Sequence, residues 1–126
     1  MSNQQYTIMV VDDEENIRWL YKEELEDEGY IVAAAASGEE ALQILPATNP
    51  DLIVMDIKMP GMSGVETLIK IKEIDKNIPV ILCSAYGDYK QDFTTWASDA
   101  YVVKAASLDE LKKAILEVLS KRYSPK

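Results

Sequence analysis

The stretch L-I-V-M-D-I-K-M-P-G-M-S-G, residues 52–64, is the most informative part of the chain. Four apolar residues run directly into Asp56, and a loop with one proline and two glycines follows. An unbroken apolar run of this length suits a β-strand covered on both faces, as in a parallel sheet. A buried charge is costly without partners, so the other residues around Asp56 decide what it does.

Similar apolar runs recur along the chain and alternate with stretches of helical spacing. The runs cover residues 6–11, 30–37, 51–56, 78–84 and 100–103. Parallel strands joined by helices need right-handed crossovers, which leads to an open, doubly wound sheet. We therefore predict one α/β domain over residues 1–126, with five parallel strands and five flanking helices.

Serine–glutamate pairs mark three of the predicted helix starts. In each pair the glutamate follows the serine by three residues, which is the spacing of a capping box. The pairs are Ser37 with Glu40, Ser63 with Glu66, and Ser107 with Glu110. Gly29 is placed to end the first helix. The fourth helix, within residues 89–98, has the weakest pattern of the five.

Composition excludes several classes of function. The formal charge of −9 disfavours direct nucleic acid binding, because such a surface repels phosphate backbones. A single cysteine, Cys83, excludes an internal disulfide, and the lack of histidine excludes His-based catalytic triads. No apolar run approaches the length of a membrane span, so we expect a cytoplasmic protein with no membrane partner.

Polar side chains stand at the carboxyl ends of four predicted strands. They are Asp12 and Asp13, Asp56, Ser84 and Lys104. In open α/β sheets the ligand site lies outside this edge of the sheet. Each residue alone has an ordinary structural interpretation: Asp13 as a helix N-cap, Asp56 as a turn residue, and Ser84 and Lys104 as strand ends. Those interpretations do not account for all five residues at one rim.

The chemistry of this set points to phosphoryl transfer with a metal ion. Three crowded carboxylates resist ionising together, and Mg²⁺ relieves this because it prefers oxygen ligands and phosphate. A carboxylate can itself be the nucleophile that takes up a phosphoryl group. Lys104 and the Ser84 hydroxyl would then stabilise the transferred oxygens.

Several segments together resemble the receiver domain of two-component response regulators. They are VVDDEEN (10–16), DLIVMDIKMPGMSGVE (51–66) and SAYG (84–87), with Lys104 at the last strand end. The resemblance covers about residues 6–121, the core of the domain. It implies a flavodoxin-like sheet of order 2-1-3-4-5, in a stand-alone or excised receiver of the chemotaxis or sporulation-relay kind.

The resemblance also assigns roles by position. It implies that Asp56 accepts a phosphoryl group from a histidine kinase or a phosphotransfer protein. The Mg²⁺ ligands would be Asp13, Asp56 and the Lys58 backbone carbonyl, with Asp12 acting largely through water. The groups on the phosphoryl oxygens would be Ser84, Lys104 and the backbone amides of Lys58 and Ala85. The receiver would catalyse only its own phosphotransfer and a slow autodephosphorylation.

Signal output is implied in the same way. Ser84 would move toward the phosphoryl group, and Tyr101, at the aromatic switch position, would rotate inward. This would repack the face of the fourth helix, fifth strand and last helix, where a downstream output protein or domain binds. Lys58 and Tyr86 occupy the positions that gate water access. Both are bulky, so we predict a long-lived phosphorylated state.

Two departures from the family pattern keep alternatives open. Ala105 stands where the family usually has proline, and the segment between Ser84 and Lys104 is slightly short. One alternative is a degenerate, phosphorylation-independent receiver that acts as a protein-binding module. Another is a Mg²⁺-dependent phosphatase with an aspartate nucleophile, although that family has Asp-x-Asp after its first strand. Phosphorylation-dependent homodimerisation also stays open.

Overall fold

Five parallel strands form one sheet in the computed structural model, which describes residues 5–84, 99–103 and 108–123. The strands are β1 (Thr7–Val11), β2 (Ile31–Ala35), β3 (Leu52–Asp56), β4 (Val80–Ser84) and β5 (Ala100–Val103). Their order in the sheet is β2-β1-β3-β4-β5, and all four neighbouring pairs are parallel. The predicted doubly wound sheet and its strand order are confirmed.

Four helices flank the sheet in the described part of the chain. They are α1 (Glu15–Asp27), α2 (Gly38–Thr48), α3 (Gly64–Ile74) and α4 (Leu108–Tyr123). The helix expected within residues 89–98 lies outside the described residues, so α4 here is the last of the five predicted helices. None of the described helices is long and apolar enough to cross a membrane.

The sheet separates two apolar cores. One core lies under α2 and α3 and includes Leu45, Leu68 and Ile71. The other lies under α1 and α4 and includes Leu25 and Ile115. Strands β3 and β4 are buried along their whole length between these cores, as their unbroken apolar sequences predict.

The edge strand β2 is not covered on both faces as its apolar sequence predicted. Ile31 is 48% exposed, because β2 has a strand neighbour on one side only and helices cover it incompletely. The strand also ends at Ala35 rather than at residue 37. Ser37 instead caps α2, since its Oγ accepts a hydrogen bond from the Glu40 amide at 3.0 Å.

Strand register brings the acidic residues to the same level. Val11 of β1 lies opposite Met55 of β3, so the next residues, Asp12 and Asp56, lie side by side at the ends of adjacent strands. On the other side of β3, Asp56 lies opposite Cys83, one residue before Ser84. The carboxyl ends of three neighbouring strands therefore form one rim.

Candidate functional site

Three carboxylates converge at this rim. One oxygen from each of Asp12, Asp13 and Asp56 lies within 4.8 Å of the other two. Asp12 is only 2% exposed and Asp56 only 7%, whereas Asp13 is open to solvent. Two buried acids and one exposed acid thus form a pocket of negative charge with an opening to water. The predicted meeting of these three residues is found in the structure.

The turn between β1 and α1 is held by hydrogen bonds to Asp12. The Glu14 amide donates to Asp12 Oδ1 at 3.0 Å, and the Asp12 amide donates to the Ala35 carbonyl at 3.2 Å. The Arg18 guanidinium donates from Nη1 to the Asp12 backbone carbonyl at 2.8 Å. These contacts tie both the backbone and the side chain of Asp12 to neighbouring elements.

The ordinary interpretation of Asp13 as the N-cap of α1 is wrong. Glu14 is the N-cap residue, and its side chain makes no capping hydrogen bond. The helix begins at Glu15, one residue later than that interpretation requires, and the Glu14 amide donates to the Asp12 carboxylate. Helix capping therefore does not account for the Asp13 carboxylate.

Hydrogen bonds and close packing hold the loop from β3 to α3 next to Asp56. The Ile57 amide donates to the Cys83 carbonyl at 2.9 Å, and the Gly64 amide donates to the Ile57 carbonyl at 2.7 Å. A Cβ atom on Gly64 would lie 2.1 Å from the Asp56 carbonyl oxygen, so only glycine permits this approach. The exposed Lys58 stands on the outer side of the loop.

Ser84 and Tyr101 lie on the same face of the sheet. Leu82 pairs with Tyr101, and Ser84 follows Leu82 by two residues, so alternation brings all three side chains to one face. Ser84 is 2% exposed, whereas Tyr101 is half-buried against the core under α2 and α3. The other predicted site residues, Lys104, Ala85 and Tyr86, and also Ala105, lie outside the described residues.

The donor set fits a hard divalent cation. All three converging groups offer carboxylate oxygens, which Mg²⁺ prefers, and their mutual repulsion is relieved by a positive charge. The partial exposure of the cluster suits a metal that keeps several water ligands. Residues of this chain therefore suit Mg²⁺ in number, type and placement.

Two residues that shape the site were not predicted from sequence. Arg18 lies six residues after Asp12, inside the first helix, where a basic residue is ordinarily solvent-exposed. Gly64 follows the capping serine of α3, where glycine has no obvious local purpose. No local pattern in the sequence singles out either residue for its contact with the site.

Comparison with known proteins identifies the family. Residues 8–116 match the response regulator receiver domain. The chain is 39% identical over 120 residues to sporulation initiation phosphotransferase F of Bacillus subtilis, covering 94% of this chain and 93% of that protein. It is 38% identical to the probable transcriptional regulator ycf27 of Cyanophora paradoxa, but spans only 50% of its length.

Solved structures agree with this assignment. The response regulator TrrA of Thermotoga maritima, in complex with Mg²⁺-BeF, superposes with a TM-score of 0.87 at 47% identity, covering 91% of this chain and all of that one. The structure of histidine kinase ThkA in complex with TrrA matches with a TM-score of 0.86 at 47% identity, covering 92% and 100%.

The match covers most of the chain and includes the three acids of the rim. The chain belongs to the response regulator receiver domains, the phosphorylation-dependent signalling modules of two-component systems.

Proposed function

We propose that Asp56 accepts a phosphoryl group from a histidine of a partner kinase or phosphotransfer protein, with Mg²⁺ bound at the rim. The observation that carries this proposal is the cluster of three carboxylates within 4.8 Å, with Asp56 buried at its base. In that position one Asp56 oxygen faces the rim, where a donor phosphate arrives from solvent.

The reaction is a transfer between two side chains. An Asp56 oxygen attacks phosphorus, the P–N bond to the donor histidine breaks, and the electron pair returns to the imidazole, which takes up a proton. Asp13, Asp56 and the Lys58 carbonyl would hold Mg²⁺, with Asp12 acting through water. Bound there, Mg²⁺ would neutralise charge on the transferred oxygens. Ser84, Lys104 and the amides of Lys58 and Ala85 would bind those oxygens.

Phosphorylation would then change the output face. The new group adds about −1.5 to −2 charges at the rim, which draws the Ser84 hydroxyl toward it. Tyr101, on the same sheet face, would then turn inward. Phosphorylation would in this way shift the population between two arrangements of the output face that already exist. The surface around β5 and α4 would present the signal to a downstream protein or domain.

The partner class is supported by the relatives. TrrA is solved in complex with a histidine kinase, and the Bacillus subtilis relative is named a phosphotransferase. On our proposal this receiver works in the cytoplasm and catalyses only its own phosphotransfer and slow autodephosphorylation. It would act in a two-component pathway or phosphorelay, without direct nucleic acid binding.

Intact-mass analysis tests the proposal. The protein is incubated with Mg²⁺ and a small acyl phosphate donor, beside Asp56→Asn and metal-free samples. We expect one added phosphoryl group in the wild type and none in either control. Persistence of the adduct after removal of the donor would support the gate formed by Lys58 and Tyr86, and rapid loss would count against it.

The absence of an adduct, repeated with a cognate kinase, would overturn the proposal. The chain would then act as a phosphorylation-independent binding module. An adduct that survives Asp56→Asn would also contradict it, because the acceptor would be another residue.

A further inference from the structure

Arg18 links the first helix to the acidic rim. Its Nη1 donates to the backbone carbonyl of Asp12 at 2.8 Å, while its own amide donates to the Glu14 carbonyl within the helix. The side chain is half-buried, so this contact lies in a partly dry environment. Charge-assisted hydrogen bonds of this kind are stronger than neutral ones.

The contact fixes a peptide plane that both acids share. The Asp12 carbonyl belongs to the peptide bond between Asp12 and Asp13, which is planar. Holding this carbonyl oxygen therefore limits rotation of the peptide plane. It also sets the direction in which the Asp13 side chain projects from the backbone. The Glu14 amide fixes the Asp12 carboxylate separately, through Oδ1 at 3.0 Å.

The same guanidinium has an opposing effect on a bound cation. Its positive charge repels Mg²⁺ and lowers metal affinity if it acts by charge alone. Water reaches the exposed Asp13 and screens that repulsion, whereas the hydrogen bond acts through fixed backbone geometry. The two effects predict opposite results when Arg18 is removed, so they can be separated.

We propose that Arg18 is a positioning residue of the Mg²⁺ site: by holding the Asp12 carbonyl it keeps the Asp12 and Asp13 carboxylates directed at one metal position. This inference rests on the proposed function, since it requires the rim to bind Mg²⁺. On this proposal Arg18 acts through the Asp12 carbonyl and binds neither the metal nor the phosphoryl group itself.

The test compares Arg18→Met with Lys22→Met. Both changes remove one positive charge from α1, but Lys22 pairs with Glu26, one turn along the helix, and has no hydrogen bond to the β1–α1 turn among those of the described residues. Calorimetric titration with Mg²⁺ alone gives each dissociation constant. We expect Arg18→Met to weaken binding about three- to tenfold, and Lys22→Met to leave it within about twofold.

Three further measurements distinguish positioning from loss of fold. Arg18→Lys keeps a charged donor on a side chain of similar length and should recover part of the affinity. Urea unfolding in EDTA should show that the variants remain folded without metal. At saturating Mg²⁺, Arg18→Met should be phosphorylated at nearly the wild-type rate, because Arg18 acts only through the metal site.

Mg²⁺ binding by Arg18→Met as tight as in the wild type, or tighter, would overturn the inference. A reduced phosphorylation rate that saturating Mg²⁺ does not restore would also overturn it. Failure of the wild type to bind Mg²⁺ is a separate result, because it would remove the metal site of the proposed function itself.

Discussion

At the scale of single residues, Gly64 shows how closely the site is packed. A Cβ atom there would lie 2.1 Å from the Asp56 carbonyl oxygen and 2.8 Å from the Ile57 Cα. Both are backbone atoms of the buried residues at and just after the end of β3, so neither moves without displacing Asp56. The glycine therefore allows α3 to begin directly against the proposed phosphoacceptor.

Gly64→Ala should lower the free energy of unfolding by about 2–3 kcal/mol, because the methyl group must push backbone atoms apart. Gly29→Ala is the matched control. Gly29 has a φ of +98°, and its added Cβ would meet no atom within 4 Å, so its cost is conformational strain of about 1 kcal/mol. Urea denaturation without metal measures both, and equal losses would contradict the packing argument.

At the scale of elements, α2 and α3 both begin at a serine–glutamate pair, and the first residue of α3 lies against Asp56. Ser63 and Glu66 form a full capping box, with hydrogen bonds of 3.1 and 3.2 Å. Ser37 and Glu40 cap α2 through the Glu40 amide, and the Glu40 carboxylate accepts a hydrogen bond from the Ala36 amide. Both expected starts are confirmed, whereas Ser107 lies outside the described residues.

Ser63→Ala and Ser37→Ala should each reduce stability by about 1 kcal/mol, since each removes the acceptor of a helix-capping bond. Only Ser63→Ala should also slow phosphorylation by a small acyl phosphate, because the first residue of α3 contacts Asp56. Unfolding in urea and the rate of mass gain give the two quantities. Equal phosphorylation rates in both variants would show that α3 capping does not influence the site.

At the scale of the molecule, the end of α4 closes the edge of the sheet opposite the site. The Tyr123 hydroxyl donates to the Asp51 carbonyl at 2.9 Å, and its ring packs on Tyr6 with centroids 5.4 Å apart. The Asp51 carboxylate in turn accepts from the Thr7 amide at 2.8 Å. The last helix is thereby joined to the starts of β1 and β3, far from the rim that carries the acids.

This closure predicts a loss of stability at alkaline pH. Burial, followed by the charge of Asp51, raises the pKa of Tyr123 above its usual value of 10.0. Burial also raises the pKa of Tyr30, with Glu28 contributing. The unfolded chain ionises first, so this stability is fully present below about pH 10 and declines as pH rises through the folded pKa.

Tyr123→Phe should lower the free energy of unfolding at pH 7 by about 0.5–1 kcal/mol, since the partly exposed hydroxyl loses one hydrogen bond. The substitution should also make the decline in the free energy of unfolding at alkaline pH less steep. A decline should remain, because the hydrogen bond that Lys112 donates to the Glu24 carboxylate raises the pKa of Lys112 above 10.5, and this contribution to stability is also lost as the pH rises. Urea unfolding from pH 7 to 11 measures both effects, and an unchanged alkaline slope would contradict the assignment to Tyr123.

The sequence by itself determined the strands, the three acids and the family. Those features depend on local periodicity, on capping spacings such as Ser63 to Glu66, and on residue types at strand ends. Each of these signals is contained in a short segment, so no knowledge of distant neighbours is needed. Hence β3 and β4 were found as buried strands, and Asp12, Asp13 and Asp56 were expected at one rim.

The tertiary structure decided what each of those residues touches. The incomplete cover of Ile31, the contact between Gly64 and Asp56, and the bond from Arg18 to the Asp12 carbonyl depend on how helices pack against the sheet. The exclusion of Asp13 as a cap depends on where α1 begins relative to the end of β1. Such contacts join elements whose relative placement is set by packing of the whole core, and no local pattern in the sequence encodes them.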